Sequence, residues 1–277
     1  MKKSILVCVI LVLGTSGHAA CPRADVTGDC YVGLADLAVM ASQWLTGPEI
    51  PDDMVVVPAG SFAYQTEYYV FVDDFAIDKY EVTVAAYCEF LNYADPDGNH
   101  WDGGQEIVRT GDPGNYSYEV QAGRENYPVR YVSFYDAEIY AAWKSAITGK
   151  NYRLGTEEEW EKAAGWDPVV KKLWTYGFQQ DSVDSTWCNY DDAYGGPLPV
   201  GSFDGTDGKN DAKSFYGCYD MSGNVYEWTS SIYSGSSRVL RGGDWYGSAL
   251  YCRVAHRLNY SPSNRIGTLG FRLLLDL

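Results

Sequence analysis

The sequence predicts a mixed α+β domain with little regular secondary structure, and three observations support this prediction. The 277 residues include 9 Trp, 24 Tyr and 9 Phe, together with 29 Gly and 11 Pro. This composition is typical of loop-rich folds and differs from that of helical bundles. Short apolar runs that suit β-strands alternate with a few segments of helical periodicity. The length suits one large domain, or one domain with an appendage.

The charge of the chain narrows the range of partners. Asp and Glu number 37 against 21 Lys and Arg, which gives a formal net charge of −16. Such a chain repels nucleic acid and anionic lipid, whereas its carboxylates favour hard cations such as calcium. We therefore expect no nucleic-acid partner.

Residues 1–20 have the features of a secretory signal peptide: a basic start, an apolar run over 5–13 and small residues before Cys21. That run is too short to span a bilayer, and no later stretch approaches about 18 consecutive apolar residues. We expect a secreted, periplasmic or cell-surface protein without a transmembrane segment. A lipid anchor on Cys21 is the alternative, although His18 stands where an aliphatic residue is usual.

Six cysteines follow the signal peptide: Cys21, Cys30, Cys88, Cys188, Cys218 and Cys252. An even number in an oxidising compartment predicts disulfides. Cys21 and Cys30 enclose a short acidic loop and are the pair that we predict to be bridged. The other four cysteines allow three connectivities, and the sequence does not choose among them.

Residues 21–47 combine an acidic loop with a predicted helix over 34–45. Oxygen donors occupy positions 1, 3, 5, 7 (a carbonyl) and 12 of a 12-residue loop, namely Asp25, Thr27, Asp29, Tyr31 and Asp36. This spacing is typical of calcium loops. The segment resembles a dockerin half-repeat, which implies calcium and a cohesin-like partner, although Cys30 replaces the usual Gly and a single repeat is present. The alternative is a metal-free acidic turn closed by the disulfide.

A linker rich in Pro, Gly and acidic residues is predicted over 48–53, and the main domain over 54–277. Its first elements are a strand from Met54, a strand from Phe75 and a helix from about Val84 to Tyr93. A second helix is predicted after the segment that starts at Tyr127, and it continues through Trp143. The third runs to Ala164 behind a capping box, in which Thr156 is the N-cap and Glu159 follows three residues later.

Five motifs follow one another in this domain. They are Tyr127-Pro-Val-Arg-Tyr-Val, Arg153-Leu-Gly-Thr-Glu-Glu-Glu-Trp, Asp220-Met-Ser-Gly-Asn-Val-Tyr-Glu-Trp, Arg241-Gly-Gly-Asp-Trp and Gly270-Phe-Arg. Together they resemble the sulfatase-modifying-factor family, whose founding member is the formylglycine-generating enzyme. The resemblance implies a single α+β domain of the C-type-lectin-like kind, with loops held by metal ions.

The resemblance also implies two structural calcium sites. The first would use the side chains of Asn189 and Asp192 with the carbonyls of Tyr190 and Tyr194. The second would use the side chains of Asp220 and Glu227 with the carbonyls of Gly223 and Val225. Solvated turn residues without metal are the alternative. A further acidic loop, 95–106, is predicted to be a plain turn because Pro96 stiffens it and His100 occupies the usual Gly position.

The formylglycine-generating enzyme oxidises a substrate cysteine with O₂, using copper(I) held by two thiolates just after the Arg-Gly-Gly motif. Counted forward from Gly243, the two positions are Gly247 and Cys252; counted back from the later Arg-x-Ala-x-Arg motif, the second is Ala249. The first thiol is missing in either register, so we do not expect copper, and the catalytic residues are unknown. Cys252 is predicted to be a disulfide partner or a buried thiol.

The predicted function is a secreted, calcium-stabilised binding module for a glycan or an extracellular protein, with Trp245, Tyr246, Tyr251 and Tyr260 as ligand-binding residues. The scaffold also resembles hypervariable binding proteins. A family enzyme with non-copper chemistry in protein or metabolite maturation is the alternative, and a formylglycine-generating oxidoreductase acting on sulfatases is a further one. A cohesin-like, sulfatase or glycoside hydrolase partner is left open.

Two residue types carry expectations of their own. Only His100 and His256 follow the signal peptide, too few for a two-His iron site with a base, and each is predicted to be a loop or hydrogen-bonded side chain. Arg253, Arg257 and Arg272 are predicted to be buried, salt-bridged arginines that hold the last strands.

Overall fold

The computed structural model describes residues 32–34, 36–37 and 49–277. Ile50–Leu277 forms one compact unit, to which the following account applies. Before it, residues 34, 36 and 37 are helical, at the start of the predicted helix, and the Asp36 carboxylate accepts a hydrogen bond from the Gly33 amide at 2.8 Å. The signal peptide, the Cys21–Cys30 bridge and the predicted loop ligands Asp25, Thr27, Asp29 and Tyr31 lie outside the described residues. Among the described residues, no helix has the length and apolar character needed to cross a membrane.

Two four-stranded sheets form the framework. The first contains β1 (Met54–Val57), β4 (Phe75–Asp78), β7 (Tyr152–Arg153) and β14 (Leu274–Asp276), all antiparallel in the order β1-β4-β14-β7. The second contains β10 (Tyr226–Ser234), β11 (Ser237–Arg241), β12 (Leu258–Tyr260) and β13 (Leu269–Gly270), in the order β12-β11-β10-β13, with β10 and β13 parallel.

Three two-stranded hairpins complete the strands of the described unit. They are β2 (Gly60–Tyr64) with β3 (Tyr68–Val72), β5 (Ile107–Thr110) with β6 (Ser117–Val120), and β8 (Trp166–Asp167) with β9 (Lys172–Leu173). Long stretches between β9 and β10 and between β11 and β12 have no strand or helix. The prediction of sparse regular structure is therefore confirmed.

The helices begin where local capping chemistry allows. Helix α1 (Val84–Ala94) follows Thr83, whose hydroxyl accepts from the Ala86 amide. Helix α2 (Phe134–Thr148) has a capping box of Ser133 and Asp136 and extends beyond the predicted segment. Helix α3 (Glu157–Gly165) has the predicted capping box of Thr156 and Glu159. A capping box satisfies amide groups that the first turn leaves unpaired, so these starts are fixed locally.

Three clusters of buried side chains fill the unit. The largest packs α1 and α2 against the two sheets, and Trp228 in it is 2% exposed, with an indole N–H that donates to the Val132 carbonyl at 2.9 Å. The second lies between α3 and the β2–β3 hairpin. The third lies under the long loops and contains Tyr176, Phe178, Cys188, Phe203, Ala212 and Cys252. The loops after β9 and β11 are thus packed on a core of their own.

Candidate functional site

The segment after β11 turns sharply because two glycines follow Arg241. Gly242 and Gly243 have φ of 97° and 78°, a region that strains other residues. A Cβ on Gly243 would come within 2.8 Å of the Cys252 Sγ. Only glycine therefore permits this close approach, which brings the following loop, Asp244–Cys252, back onto the third cluster. We call residues 244–252 the aromatic loop.

The aromatic loop is organised by Asp244 and exposes apolar side chains. The Asp244 Oδ1 accepts from the amides of Tyr246 at 3.1 Å and Gly247 at 2.6 Å. Tyr246 is 67% exposed and Tyr251 is 47% exposed, and Leu250 between them is 56% exposed. The half-buried Trp245 ring contacts the Tyr246 ring. The loop therefore offers a solvent-facing apolar and aromatic surface held by a buried carboxylate.

Tyr260 is placed differently from the other three predicted ligand-binding residues. It lies on β12, opposite Arg238, and packs partly buried against the largest core cluster. We therefore leave Tyr260 out of the surface formed by the aromatic loop. Its position on a strand follows from the pairing of β12 with β11, which the sequence pattern did not reveal.

Buried ion pairs fix the strands beside this loop. Arg241 is fully buried and pairs with Glu161 and, at 3.6 Å, with Glu157. Arg257 donates two hydrogen bonds of 2.6 Å to the Glu157 carboxylate, so both arginines are tied to α3. The prediction of a buried, salt-bridged arginine is confirmed for Arg272, which pairs with Glu227. Arg257 is salt-bridged as predicted, but its side chain is 35% exposed. Arg253 is exposed instead.

The first predicted calcium segment contains an unpartnered buried acceptor. Asn189 is 1% exposed; its Nδ2 donates to the Gly196 carbonyl at 2.8 Å, while its Oδ1 is buried without a hydrogen-bond partner. A buried amide oxygen without a partner is costly, and a hard cation would satisfy it. The Tyr190 carbonyl accepts from the Ala193 amide at 3.1 Å, and Asp192 is exposed. The free Asn189 Oδ1 suits a calcium ligand. Calcium at this segment stays a prediction.

This segment is joined to the aromatic loop through the backbone. The Asp191 amide donates to the Gly247 carbonyl and the Asp192 amide to the Trp245 carbonyl, both at 2.8 Å. Asp191 and Asp192 both have φ of 54°, a left-handed conformation. The two loops therefore form one ordered surface, and whatever stabilises residues 189–196 also holds the aromatic loop in place.

The second predicted calcium segment has its carboxylates engaged in other ways. Glu227 accepts from Arg272 through both oxygens and from the Trp160 indole N–H, each at 2.8 Å. The Asp220 carboxylate accepts from the Gly201 amide at 2.6 Å and contacts the Glu81 side chain. Burial raises the pKa of the Asp220 carboxyl above its usual range. Glu227 therefore already has a cationic partner.

Glu81 is the carboxylate that sequence reasoning missed at this segment. It is 2% exposed; its Oε1 accepts from the Asn224 side-chain Nδ2 at 3.0 Å, and its Oε2 has no hydrogen-bond partner. Burial, and then the neighbouring Asp220, raise the pKa of Glu81 well above its ordinary value. Glu81 follows the apolar run that starts at Phe75 and comes directly before the buried Val82 and Val84. A charged residue among such apolar neighbours is the signal that could have identified it. If calcium binds here, Glu81 joins Asp220 as a donor.

Across the described residues, no three His, Cys, Asp or Glu side chains are grouped as metal ligands. A cation at either segment would therefore depend on backbone carbonyls as well as on these side chains.

The thiols at the site face inward. Cys252 is fully buried and Cys188 is 2% exposed, and both lie in the third core cluster. The neighbouring Cys252 side chain, and then burial, raise the pKa of the Cys188 thiol well above its usual range. The prediction that Cys252 is a buried thiol or disulfide partner therefore agrees with its placement. The neighbouring Cys188, 64 positions earlier in the chain, was not predicted.

The two histidines have different surroundings. The His100 Nδ1 lies 2.9 Å from Asp136, which also binds Arg265, so His100 is hydrogen-bonded as predicted. The His256 ring contacts the rings of Tyr226 and Tyr251, and its Nε2 is buried without a hydrogen-bond partner. Burial and then the nearby arginines lower the pKa of His256, which favours the neutral imidazole.

Two cavities of about 590 and 650 Å³ lie beside the start of α3 and share Arg153 and Thr156. No residue of the aromatic loop lines either of them. The aromatic loop is therefore separate from these two cavities.

The fold and these motifs define a class of protein: an α+β domain of low regular structure, with an Arg-Gly-Gly turn and a terminal Gly-Phe-Arg segment. A profile of the Sulfatase-modifying factor enzyme 1-like domain matches residues 45–277. The chain belongs to this family. The expectation of a family domain is thereby confirmed.

Curated relatives differ in the activity that their names state. The chain is 29% identical to Hercynine oxygenase of Mycolicibacterium smegmatis over 83% of this chain and 63% of that protein. It is 36% identical to Inactive C-alpha-formylglycine-generating enzyme 2 of Bos taurus over 53% of this chain and 49% of that protein. It is 33% identical to the Formylglycine-generating enzyme of Streptomyces coelicolor over 56% of this chain and 54% of that protein. The matched regions thus span from 49% to 63% of the length of these relatives.

Solved structures confirm the fold. PvdO from Pseudomonas aeruginosa is 26% identical with a TM-score of 0.58, over 81% of this chain and 94% of that chain. CarF is 23% identical with a TM-score of 0.64, over 82% of this chain and 99% of that chain. The predicted fold, formylglycine-generating-enzyme-like and C-type-lectin-like, is therefore confirmed.

Proposed function

We propose that this protein is a ligand-binding member of the family that presents its aromatic loop to an extracellular glycan or protein. The observation that supports this most directly is the exposure of Tyr246, Leu250 and Tyr251 on a loop whose backbone is fixed by Asp244. Tyrosine offers a large contact area at a low cost in conformational entropy. A rigid loop loses little further freedom when a ligand binds.

The thiol arrangement argues against copper oxidation at this loop. A copper(I) site that oxidises a substrate cysteine requires accessible thiolates. Cys252 is fully buried within the third core cluster, which also contains Cys188. A relative named as an inactive formylglycine-generating enzyme is 36% identical to this chain, so the family has members named for the loss of that activity.

Calcium at Asn189 would stabilise this surface in the proposed function. The unpartnered Asn189 Oδ1 lies in the segment whose Asp191 and Asp192 amides bind the aromatic loop. We propose calcium at this segment as a structural ion, with the Asn189 oxygen and neighbouring carbonyls as donors.

The test is ligand retention on an array that carries both glycans and extracellular proteins. The double variant Tyr246→Ala/Tyr251→Ala should lose at least about tenfold in affinity, since such aromatic contacts dominate binding energies. The matched control is Tyr68→Ala/Tyr69→Ala, which removes two tyrosines that are 55% and 65% exposed on the β2–β3 hairpin. Both variants should melt near the wild-type temperature. Equal retention by both would contradict the proposal.

A second experiment tests catalysis directly. The purified protein is incubated with copper(I), O₂ and a cysteine-containing sulfatase peptide. The mass of the peptide is then measured by mass spectrometry. We expect the peptide to stay unchanged. Conversion of its cysteine to formylglycine would contradict the proposed function.

One observation favours a family enzyme with non-copper chemistry as the second candidate. His256 has a buried, unpartnered Nε2 beside Tyr226 and Tyr251, and a neutral imidazole can act as a general base. Incubation with a metabolite extract, followed by mass-spectrometric profiling, distinguishes the candidates. Turnover by the wild type that His256→Gln abolishes would favour this enzyme over a binding module.

A further inference from the structure

Two cysteines that are distant in the sequence lie in one core cluster beneath the aromatic loop. Cys188 precedes the Asn189 segment, and Cys252 ends the aromatic loop. Both are buried in the third core cluster with Tyr176 and Phe178, and Cys252 is the neighbour that most raises the pKa of the Cys188 thiol. A disulfide forms without a large backbone movement only between cysteines whose chain segments already lie close together.

The backbone around both cysteines is already held in register. The Asp191 and Asp192 amides donate to carbonyls of the aromatic loop, and the Asn224 amide donates to the Asn189 carbonyl at 3.0 Å. The Ser222 hydroxyl donates to the Cys252 carbonyl at 2.7 Å. The two cysteines thus lie in chain segments that are ordered on either side of them.

The other two described cysteines have different neighbours. Cys88 lies in α1 within the largest cluster, and its thiol lies near the Asn92 side chain. Cys218 lies in the second cluster and is fully buried. Of the three connectivities that the sequence allows, only the one with Cys188–Cys252 joins two of these cysteines within a single core cluster.

We propose that Cys188 and Cys252 are oxidised to a disulfide that joins the Asn189 segment to the aromatic loop. The oxidant is a small-molecule disulfide. One protein thiolate attacks it, forms a mixed disulfide and releases one thiol; the second protein thiolate then displaces the other thiol and closes the bond. The protein loses two electrons and two protons, and the oxidant is reduced to two thiols. The bond forms before the third cluster closes over the sulfurs.

The bond would also matter for ligand binding, and that consequence rests on the proposed function. A covalent tie at Cys252 holds the end of the aromatic loop that carries Tyr251, so the loop is ordered before the ligand arrives. Reduction should loosen the loop and weaken ligand binding. The existence of the bond, in contrast, can be tested without any ligand.

The first experiment is peptide mapping of the full chain, refolded from the reduced and denatured state in glutathione disulfide and digested without reductant. We expect a linked fragment that contains Cys188 and Cys252, with Cys88 and Cys218 open to alkylation after denaturation. Alkylation of Cys188 or Cys252, or a link from either to another cysteine, would overturn the proposal. One equivalent of a soft metal by elemental analysis, with both thiols unoxidised, would overturn it in favour of a metal site.

The second experiment measures melting with and without reductant. The bond would close a loop of about 65 residues, and its reduction should lower the melting temperature on the order of 10 °C. The double variant Cys188→Ala/Cys252→Ala should melt low in both conditions, and Cys218→Ala should keep the wild-type dependence on reductant. If reductant lowers the melting temperature of the double variant as much as that of the wild type, the effect comes from another disulfide and the proposal is overturned. If the double variant does not fold, the peptide map decides.

Discussion

The Arg272 guanidinium binds the Glu227 carboxylate through two hydrogen bonds of 2.8 Å, and neither side chain is more than 1% exposed. Arg272 also donates to the carbonyls of Asp78, Lys79 and Tyr219. The pair therefore joins the last strand region to β10 and to the loop before it. A buried ion pair of this geometry contributes little net energy while intact, but removal of one partner leaves an uncompensated charge.

We predict that Glu227→Gln lowers the free energy of unfolding by about 3 to 5 kcal/mol. The loss should be the same with calcium and with excess chelator, because the partner of Glu227 is Arg272. Urea denaturation in both conditions measures it. Glu67→Gln, at an exposed position, is the control and should be nearly neutral. A loss that vanishes in chelator would instead make Glu227 a calcium ligand.

Asn189→Ala should remove calcium-dependent stability at the first segment. Millimolar calcium over a micromolar site contributes about 4 kcal/mol to the folded state. The wild type should therefore melt several degrees lower in excess chelator, and the variant should lose most of that difference. The control is Asp97→Ala, an exposed residue of the turn after α1. Full calcium dependence in Asn189→Ala would show that the ion binds elsewhere.

Glu81→Gln tests whether the buried pair of Glu81 and Asp220 is stabilised by protonation or by a bound cation. Because Glu81 and Asp220 are buried together, a neutral amide at position 81 removes like-charge repulsion and can still accept from Asn224. In chelator the variant should melt at or above the wild-type temperature. If Glu81 is a calcium ligand, calcium should raise the melting temperature of the variant less than that of the wild type. An equal rise in both proteins would exclude Glu81 as a ligand.

Sequence reasoning succeeded where the determinants are local. Thr156 and Glu159 are three residues apart, and their reciprocal hydrogen bonds start α3 as predicted. The strands from Met54 and Phe75 also begin where predicted, since their apolar runs are short and bounded by turns. The fold itself was predicted from the family motifs, because a few short strands and helices alone do not define a topology.

The contacts that were missed all join distant segments through irregular loops. Cys188 shares a core cluster with Cys252, and Glu81 is buried near Asp220, across stretches that have no periodicity to reveal their paths. Tyr260 was grouped with the aromatic loop because it follows closely in sequence, but its strand pairs with β11. Such contacts depend on tertiary packing, which a single sequence does not encode in local spacing.

Lys162 gives a prediction about the β2–β3 hairpin. It is 2% exposed and donates to the carbonyls of Pro58 at 2.6 Å and Gly60 at 3.1 Å, with Val72 at 3.5 Å. Lys162→Met keeps the apolar stem but leaves these acceptors without their donor, which should cost about 2 kcal/mol. Urea denaturation measures the loss. Lys171→Met, at an exposed turn, should be nearly neutral, and equal stability of both variants would refute this role.

Asp78 is predicted to make stability depend on pH. Its Oδ2 accepts from the Leu273 amide at 2.9 Å, while Oδ1 lies 4.0 Å from the Lys144 Nζ without a hydrogen bond. Burial raises the pKa of Asp78 from 3.8 to about 6. The folded state therefore prefers the protonated acid, so this contribution to stability is fully present below the unfolded pKa and is lost as the pH rises through about 6.

Asp78→Asn should remove that dependence, because the amide resembles the protonated acid and still accepts from Leu273. Between about pH 5 and about pH 8 the wild type should lose about 1.4 kcal/mol relative to the variant. Urea denaturation of both proteins at the two pH values measures the difference, in which the titration of other groups cancels. Asp97→Asn, at an exposed position, should show no such change relative to the wild type. A constant difference between wild type and Asp78→Asn at both pH values would mean that Asp78 is already ionised in the folded protein at about pH 5.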